Sequence, residues 1–289
     1  KGNSESLNPL SKATSACISP SNSNLTDILF KISTAWATFL GEPARIEPKL
    51  VKLNIGNITV TRNLKTFGVG EGVLNERIAH LFHIETASLG MYAQAQGVQL
   101  RIRATASTET QAYNIIDPIE KEIRSLVGEY IWGSDNELLE EQLGIKLKDN
   151  NLTLSTMESC TGGLLAHTIT QVTGSSAYFK GGYVTYATEI KAIMGVNQHI
   201  IDKYGVISPE VAGNMAQAIK DYMGTDIGIG ITGIAGGNPI EEQRPGVVHI
   251  GICIKSDTAV ITREYPTQRH AVKQRAVTQA LLELWSRLR

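Results

Sequence analysis

The residues best suited to chemistry lie in "ESCTGG", Glu158 to Gly163. An apolar-alternating run, "LTLSTM", stops at Met157, and a helical pattern, "GGLLAHTITQV", begins at Gly162. The six residues therefore sit where a strand hands over to a helix. In open α/β sheets, ligands collect at the carboxyl ends of strands. A helix N-terminus presents free N–H groups and partial positive charge, which suit a phosphate or a developing oxyanion. In that setting Thr161, Gly162 and Gly163 would contact substrate, and Ser159 would stand beside them as a nucleophile. The same spacing fits a plainer role, a capping cluster with close helix–sheet packing, and on spacing alone that plainer role is the preferred reading. Cys160 offers a second nucleophile, because helix N-termini lower thiol pKa values. A small buried apolar residue is the preferred reading of it.

A second stretch, "TGSSAYFKGGYVTYATEIKAIMGV", adds Ser176, Tyr186 and Lys191. Lys191 is expected in the first turn of a short helix capped by Thr188. The positive end of the helix dipole would favour its neutral form, a competent base for a serine. Taken alone, a solvated Lys191 is the more ordinary reading, and no Ser–Lys pairing follows from one dimension. A third stretch, "GIGITGIAGG", leaves a buried strand into a glycine loop where Thr232 and Gly233 can line a pocket. It imitates a dinucleotide fingerprint, but "NPIEEQRPG" follows where a helix should, so that reading is rejected. Arg269, at the start of the last helix, could clamp a phosphate. Lys273 and Arg275 are expected on that helix's solvated face. The six histidines (His80, His83, His167, His199, His249 and His270) show no completed ligand spacing, so neither a metal nor a cofactor is expected.

The elements that must position these groups are readable from period and punctuation. From 136 to 289, strands alternate with helices: "GGYVTYA", "TEIKAIM", "SPEVAGNMAQAIKDYMG" with Ser208 as N-cap, "DIGIGITG", an antiparallel pair "GVVHIGICI" and "AVITREY", and a long final helix. This predicts a layered α/β/α domain with a mixed sheet. Residues 41–135 read as a smaller α+β domain: a strand "NITVTRNLKTFGV", a helix "GEGVLNERIAHLFH", a strand over Val98–Ser107, and a helix capped by Ser107 or Thr108. Pro118 predicts a kink or late start in that last helix. Residues 1–40 read as a Ser- and Asn-rich arm followed by a helix over Leu25–Leu40.

A net charge of -1 supplies no field favouring nucleic acid or an anionic membrane. Three cysteines without CxxC spacing argue against a disulfide framework or a zinc ribbon. No apolar run has the length of a membrane span, and no signal peptide is evident, so a cytoplasmic location is expected. The chain opens on Lys rather than Met, consistent with a piece of a longer protein.

"ESCTGGLLA", "TGSSAYFKGGYVTYATEIKAIMGV", "YGVISPEVAGNMA" and "ITGIAGG", in this order, resemble the C-terminal domain of the CinA (competence-damage-inducible) family. "LKTFGVGEGVLNERI" and "IEKEIRSLVGEYIWG" resemble its KH-type middle domain. The resemblance implies a nicotinamide mononucleotide deamidase, which releases ammonia and leaves nicotinate mononucleotide for pyridine-nucleotide recycling. It implies Ser159 or Ser176 as nucleophile, Lys191 as base, and Tyr186 as a positioning or relay group. Thr232 would contact substrate and Arg269 would hold the phosphate. The chain departs from the family after "GIAG", where "GNPIEEQRPGVV" replaces the usual glycine-rich loop and Arg244 stands near the usual lysine. A second reading, a pyridine-nucleotide-binding regulatory module without turnover, draws on that departure. A homodimer is expected, with the middle domain as spacer or dimerisation element. Nucleic-acid binding is not, because "GVGEG" is a poor substitute for a GxxG loop.

Overall fold

The computed structural model describes residues 57–94, 97–266 and 268–288; the expected helix over Leu25–Leu40 lies outside them. The chain divides into two units, 1–60 with 105–114 and 61–104 with 115–289. In the first, Thr59 Oγ1 and Thr105 Oγ1 meet at 2.8 Å, and Thr108 Oγ1 accepts the Gln111 N–H at 3.2 Å. The N-terminal cap of the following helix is therefore Thr108.

A four-stranded sheet has the order β2-β3-β1-β4, with β1 Ile58–Thr66, β2 Ala87–Gln94, β3 Gly97–Ala106 and β4 Ile131–Ser134. Val98, Leu100, Ile102 and Ala104 of β3 are buried on one face, as their alternation requires. The sequence pattern did not reveal β2. Its residues "ASLGMYAQ" include no fully buried position, so no period of two marks them, and pairing with β3 makes the strand. Helix α1 spans Glu71–Ile78. Helix α2 spans Glu109–Val127 and runs through Pro118 rather than starting after it.

The second sheet has the order β6-β5-β7-β8-β9. Its strands are β5 Leu154–Glu158, β6 Phe179–Val184, β7 Ile227–Gly233, β8 Val247–Ile254 and β9 Asp257–Glu264. β5 is parallel to β6 and β7, whereas β8 is antiparallel to both β7 and β9, so the sheet is mixed. Helices α3 (Leu139–Asp149), α4 (Leu164–Thr170) and α8 (Arg269–Arg287) cover one face, with Leu143, Leu165, Ile229, Ile250 and Leu281 in a common core. Two short helices, α5 (Thr188–Ile193) and α6 (Gln198–Tyr204), precede α7 (Pro209–Met223). On the other face Met157 of β5 packs with Ile201 of α6 and with Val211, Met215 and Ile219 of α7. Among the described residues no helix is long and apolar enough to cross a membrane.

The glycines of "GIGIT", Gly228 and Gly230, have a packing cause. A methyl group at Gly230 would lie 2.6 Å from Ala216 N and from Met215 Cβ; at Gly228 it would strike the Ala216 carbonyl, and at Gly251 that of Ala212. These three positions let the backbone of α7 lie directly on β7 and β8. The resemblance to a nucleotide fingerprint thus arises from close helix–sheet approach.

Candidate active site

The chain leaves β5 for β6 on one side through α4, and reaches β7 on the other side through α5, α6 and α7. The carboxyl end of β5 is therefore a switch point, where loops diverge and leave a crevice. A cavity of about 250 Å³ opens there, lined by Ser159, Tyr186, Lys191, Thr232, Gly233 and Arg269, with Val206, Ile207 and Ile240 as its apolar wall.

Ser159 follows the last residue of β5, and its N–H is held by the Ile231 carbonyl at 2.9 Å. Lys191 is 2 % exposed. Its Nζ lies 3.2 Å from Ser159 Oγ, 2.8 Å from the Thr185 carbonyl and 3.5 Å from the Tyr186 carbonyl. A neutral amine has two N–H groups and one lone pair. With the N–H groups on the two carbonyls, the lone pair faces the Ser159 hydroxyl. Burial lowers the Lys191 pKa from the ordinary lysine value, while Cys160, Glu189 and Glu241 pull it back upward. Burial rather than the helix dipole thus favours the neutral form. Lys191 is the fourth residue of a six-residue helix, and Ala187, not Thr188, occupies the N-cap; Thr188 lines the cavity instead.

Glu158 decides what the turn can offer. Its carboxylate accepts the N–H groups of Gly163 (3.0 Å), Leu165 (3.0 Å) and Ala166 (2.8 Å). The first turn of α4 is therefore satisfied from inside and does not offer those donors to a ligand, contrary to the sequence expectation. The amides of Cys160 and Thr161, beside Ser159, are outside that grip. Gly162 and Gly163, at φ of +60° and +90°, form the tight turn that lets one side chain reach back over the helix start. The signal for Glu158 was an acid four positions ahead of a two-glycine helix entry, the charge a helix start attracts. Replacing Glu158 by Gln leaves one acceptor where three donors converge. The expected result is a loss of about 2 kcal/mol, read as a Tm drop of roughly 4–8 °C by calorimetry.

The other expected groups divide. Thr232 lines the cavity, but its hydroxyl donates to the Val206 carbonyl at 2.8 Å, so it braces the wall. Arg269 Nη2 donates to the Tyr186 hydroxyl at 2.8 Å, which joins the start of α8 to the end of β6 across the cavity mouth. Thr161 is wholly buried and is not among the lining residues, so its side chain is not presented to a ligand there. Cys160 is buried and its thiol is pushed up to about 12, which leaves it protonated and unreactive. Ser176 is exposed in a single 3-10 turn, Ser175–Ala177, that leads into β6. Because β6 runs parallel to β5, Ser176 lies at the amino ends of the strands and Ser159 at the carboxyl ends, at least roughly 15 Å apart at the rise of a β-strand.

Two contributors were missed. Glu241, in the unusual loop after β7, accepts the N–H groups of Val206 (3.1 Å) and Ile207 (3.0 Å) and so fixes the wall that Thr232 also holds. Lys273 is half-buried rather than on a solvated face, and a methyl at Gly162 would lie 3.5 Å from its Nζ. Its spacing of four from Arg269 was legible; the turn it faces was not.

A family profile described as the CinA C-terminal domain matches residues 136–288, and one described as the damage-inducible protein CinA KH domain matches residues 61–133. A protein of Moorella thermoacetica named as competence-damage inducible is 39% identical over 265 residues, 88% of this chain and 64% of its own length. One of Clostridium kluyveri with the same name is 37% identical over 80% of this chain and 57% of its own. The chain thus spans about three-fifths of the length of these relatives. Among solved structures, a competence or damage-inducible protein from Enterobacter asburiae is 29% identical with a TM-score of 0.51, covering 53% of this chain and 100% of its own. A CinA superfamily protein from Klebsiella pneumoniae is 27% identical with a TM-score of 0.51, covering 52% and 95%.

Proposed function

The chain belongs to the CinA family, and from that premise we propose that residues 136–289 form an amidohydrolase that converts nicotinamide mononucleotide to nicotinate mononucleotide and ammonia. The observation that carries this reading is the buried Lys191 Nζ at 3.2 Å from Ser159 Oγ, at the cavity on the carboxyl end of β5. A carboxamide is unreactive, so its hydrolysis needs a nucleophile stripped of its proton and a group that returns a proton to the departing amine.

In this reading the Lys191 lone pair takes the Ser159 proton as Oγ attacks the carboxamide carbon. The amides of Cys160 and Thr161 stand nearest to receive the developing oxyanion. The ammonium of Lys191 gives the proton to the leaving nitrogen, and ammonia departs. An ester between Ser159 and the nicotinoyl group remains. Water, deprotonated by the same amine, attacks that ester, Ser159 recovers its proton, and nicotinate mononucleotide leaves. Arg269 and Tyr186 at the mouth hold the nucleotide end of the substrate.

The test is ammonia release from nicotinamide mononucleotide by the purified chain. Release that disappears in Lys191→Ala supports the reading. Absence of release, with binding retained by calorimetry, sinks it and leaves a nucleotide-sensing module.

Glu241 supplies a finer check. Its negative charge favours the ammonium form of Lys191, as does that of Glu189. Glu241→Gln removes the charge and keeps an oxygen for the Val206 and Ile207 amides. Neutral Lys191 is then reached at lower pH, so the acid limb of kcat/KM is expected to move down in pH. An unmoved limb, measured across the pH range, would detach Glu241 from the base.

A further inference from the structure

The open face of the four-stranded sheet carries groups that neither the core nor the proposed reaction uses. Gln99, Arg101 and Arg103 alternate along β3 with the buried Val98, Leu100 and Ile102, so they project from the opposite face. Their antiparallel partners on β2 are Tyr92, Gly90 and Ser88. Tyr92 is 43% exposed, and its ring lies across Gly90, where a methyl group would sit 2.9 Å from Cε2. The Arg101 guanidinium lies 4.5 Å from the centroid of that ring. β2 has no fully buried residue, so core packing does not account for an aromatic side chain at this position.

The positive charge on this face is uncompensated. Asn63 Oδ1 accepts from Arg101 Nε at 3.0 Å and from Gln99 Nε2 at 2.6 Å, so a neutral amide rather than a carboxylate braces Arg101 beside the ring. The nearby carboxylate of Asp135 is taken by the Asn63 N–H at 2.8 Å and by Arg62 Nε at 2.8 Å. β1, β2 and β3 contain no Asp or Glu. Arg103 is exposed, and among the described residues no carboxylate forms an ion pair with Arg101 or Arg103. An aromatic ring, a guanidinium plane and two free positive charges therefore share one open surface.

We propose that this sheet face binds a single-stranded polynucleotide, with a base stacked on the Tyr92–Arg101 pair and phosphates drawn to Arg101 and Arg103. An acidic peptide would answer the two charges but not the ring; a base on a phosphate backbone answers both. A double helix keeps its base faces stacked inside and offers nothing to Tyr92. The surface does not use the "GVGEG" loop, and the whole-chain charge of -1 conceals its local excess. It is independent of the amidohydrolase reading. Neither stacking nor phosphate attraction reads the sugar 2′-hydroxyl, so an octamer of deoxythymidine serves as the probe.

The test is fluorescence anisotropy of that labelled octamer with the full chain. Two phosphate contacts predict a slope of about −1.4 in log K against log salt, a roughly seven-fold loss between about 50 and 200 mM, and about half that slope in Arg103→Gln. Tyr92→Ala should weaken binding about ten-fold, whereas Tyr92→Phe, which keeps the ring, should bind as the unmodified chain does. Both changes fall on an exposed side chain, and an unchanged Tm in each shows that the fold is intact. Gly70→Asp places a carboxylate in the "GVGEG" loop at a helix N-cap that has open space and favours Asp, and it should leave binding unaltered. No binding of the octamer, equal binding by Tyr92→Ala, or displacement by oligoglutamate as effective as by unlabelled octamer overturns the proposal. Loss of binding in Gly70→Asp overturns it too, because the strand would then lie on the loop and not on the sheet.

Discussion

Replacing Lys191 by Met lowers kcat/KM for ammonia release by about 10³-fold or more, with little change in Tm. General acid–base catalysis accounts for roughly 10²–10⁴-fold in enzymes, and here one amine serves both as base toward Ser159 and as acid toward the leaving nitrogen. Methionine keeps most of the volume of a side chain that is 2 % exposed, and it removes the cost of burying an amine. A fall in activity without a fall in stability separates chemistry from folding. The pH profile gives the sign independently. Only the neutral amine can accept a proton, so activity rises with pH as Lys191 deprotonates. Burial depresses its pKa, so the rise must come below the ordinary lysine value of 10.5. An acid limb that persists unchanged in Lys191→Met would remove the residue from the mechanism.

The second large effect distinguishes the two serines. Ser159→Ala removes the nucleophile at 3.2 Å from the amine, and a fall in kcat of about 10⁴-fold or more is expected, comparable with losses seen when a catalytic serine is deleted. Ser176→Ala alters an exposed residue at the far end of the parallel strands, and kcat is expected to stay within about two-fold. Mass spectrometry adds a direct readout. A nicotinoyl ester trapped by acid quench should map to the peptide carrying Ser159. A trapped ester on Ser176, or equal losses in both variants, would show that the single chain does not contain the working arrangement.

The strand–turn–helix at "ESCTGG" was legible because the change from an apolar run to helical period and the two glycines occur within a dozen residues. The same holds for α7, where Ser208 Oγ accepts the Val211 N–H at 3.3 Å, Pro209 opens the helix, and Gly224 closes it at φ +61°. It fails for β2, whose half-exposed residues carry no period. It also fails for Thr188, since capping depends on which residue first leaves helical geometry, and a shift of one position transfers the role to Ala187.

Within the site, motif order singled out Ser159, Tyr186, Lys191, Thr232 and Arg269, and the fold gathers them around one cavity. The same motif order also singled out Ser176, which the fold sends elsewhere. A resemblance in order does not specify on which end of a strand a residue falls; the parallel pairing of β5 and β6 does. Glu241 was passed over because its partners, Val206 and Ile207, lie more than thirty positions away, beyond the reach of any local pattern.

By itself, then, the amino-acid sequence determined the α/β alternation, the helix boundaries marked by caps and glycines, and the shortlist of reactive residues. Dihedral preferences and side-chain period act over a few residues and leave their mark there. Tertiary structure alone decided that Lys191 is buried, that Glu158 closes the helix start from within, and that Lys273 leans over Gly162. Each of these depends on which elements pack together, and so on hydrophobic burial and hydrogen-bond satisfaction summed over the whole sheet.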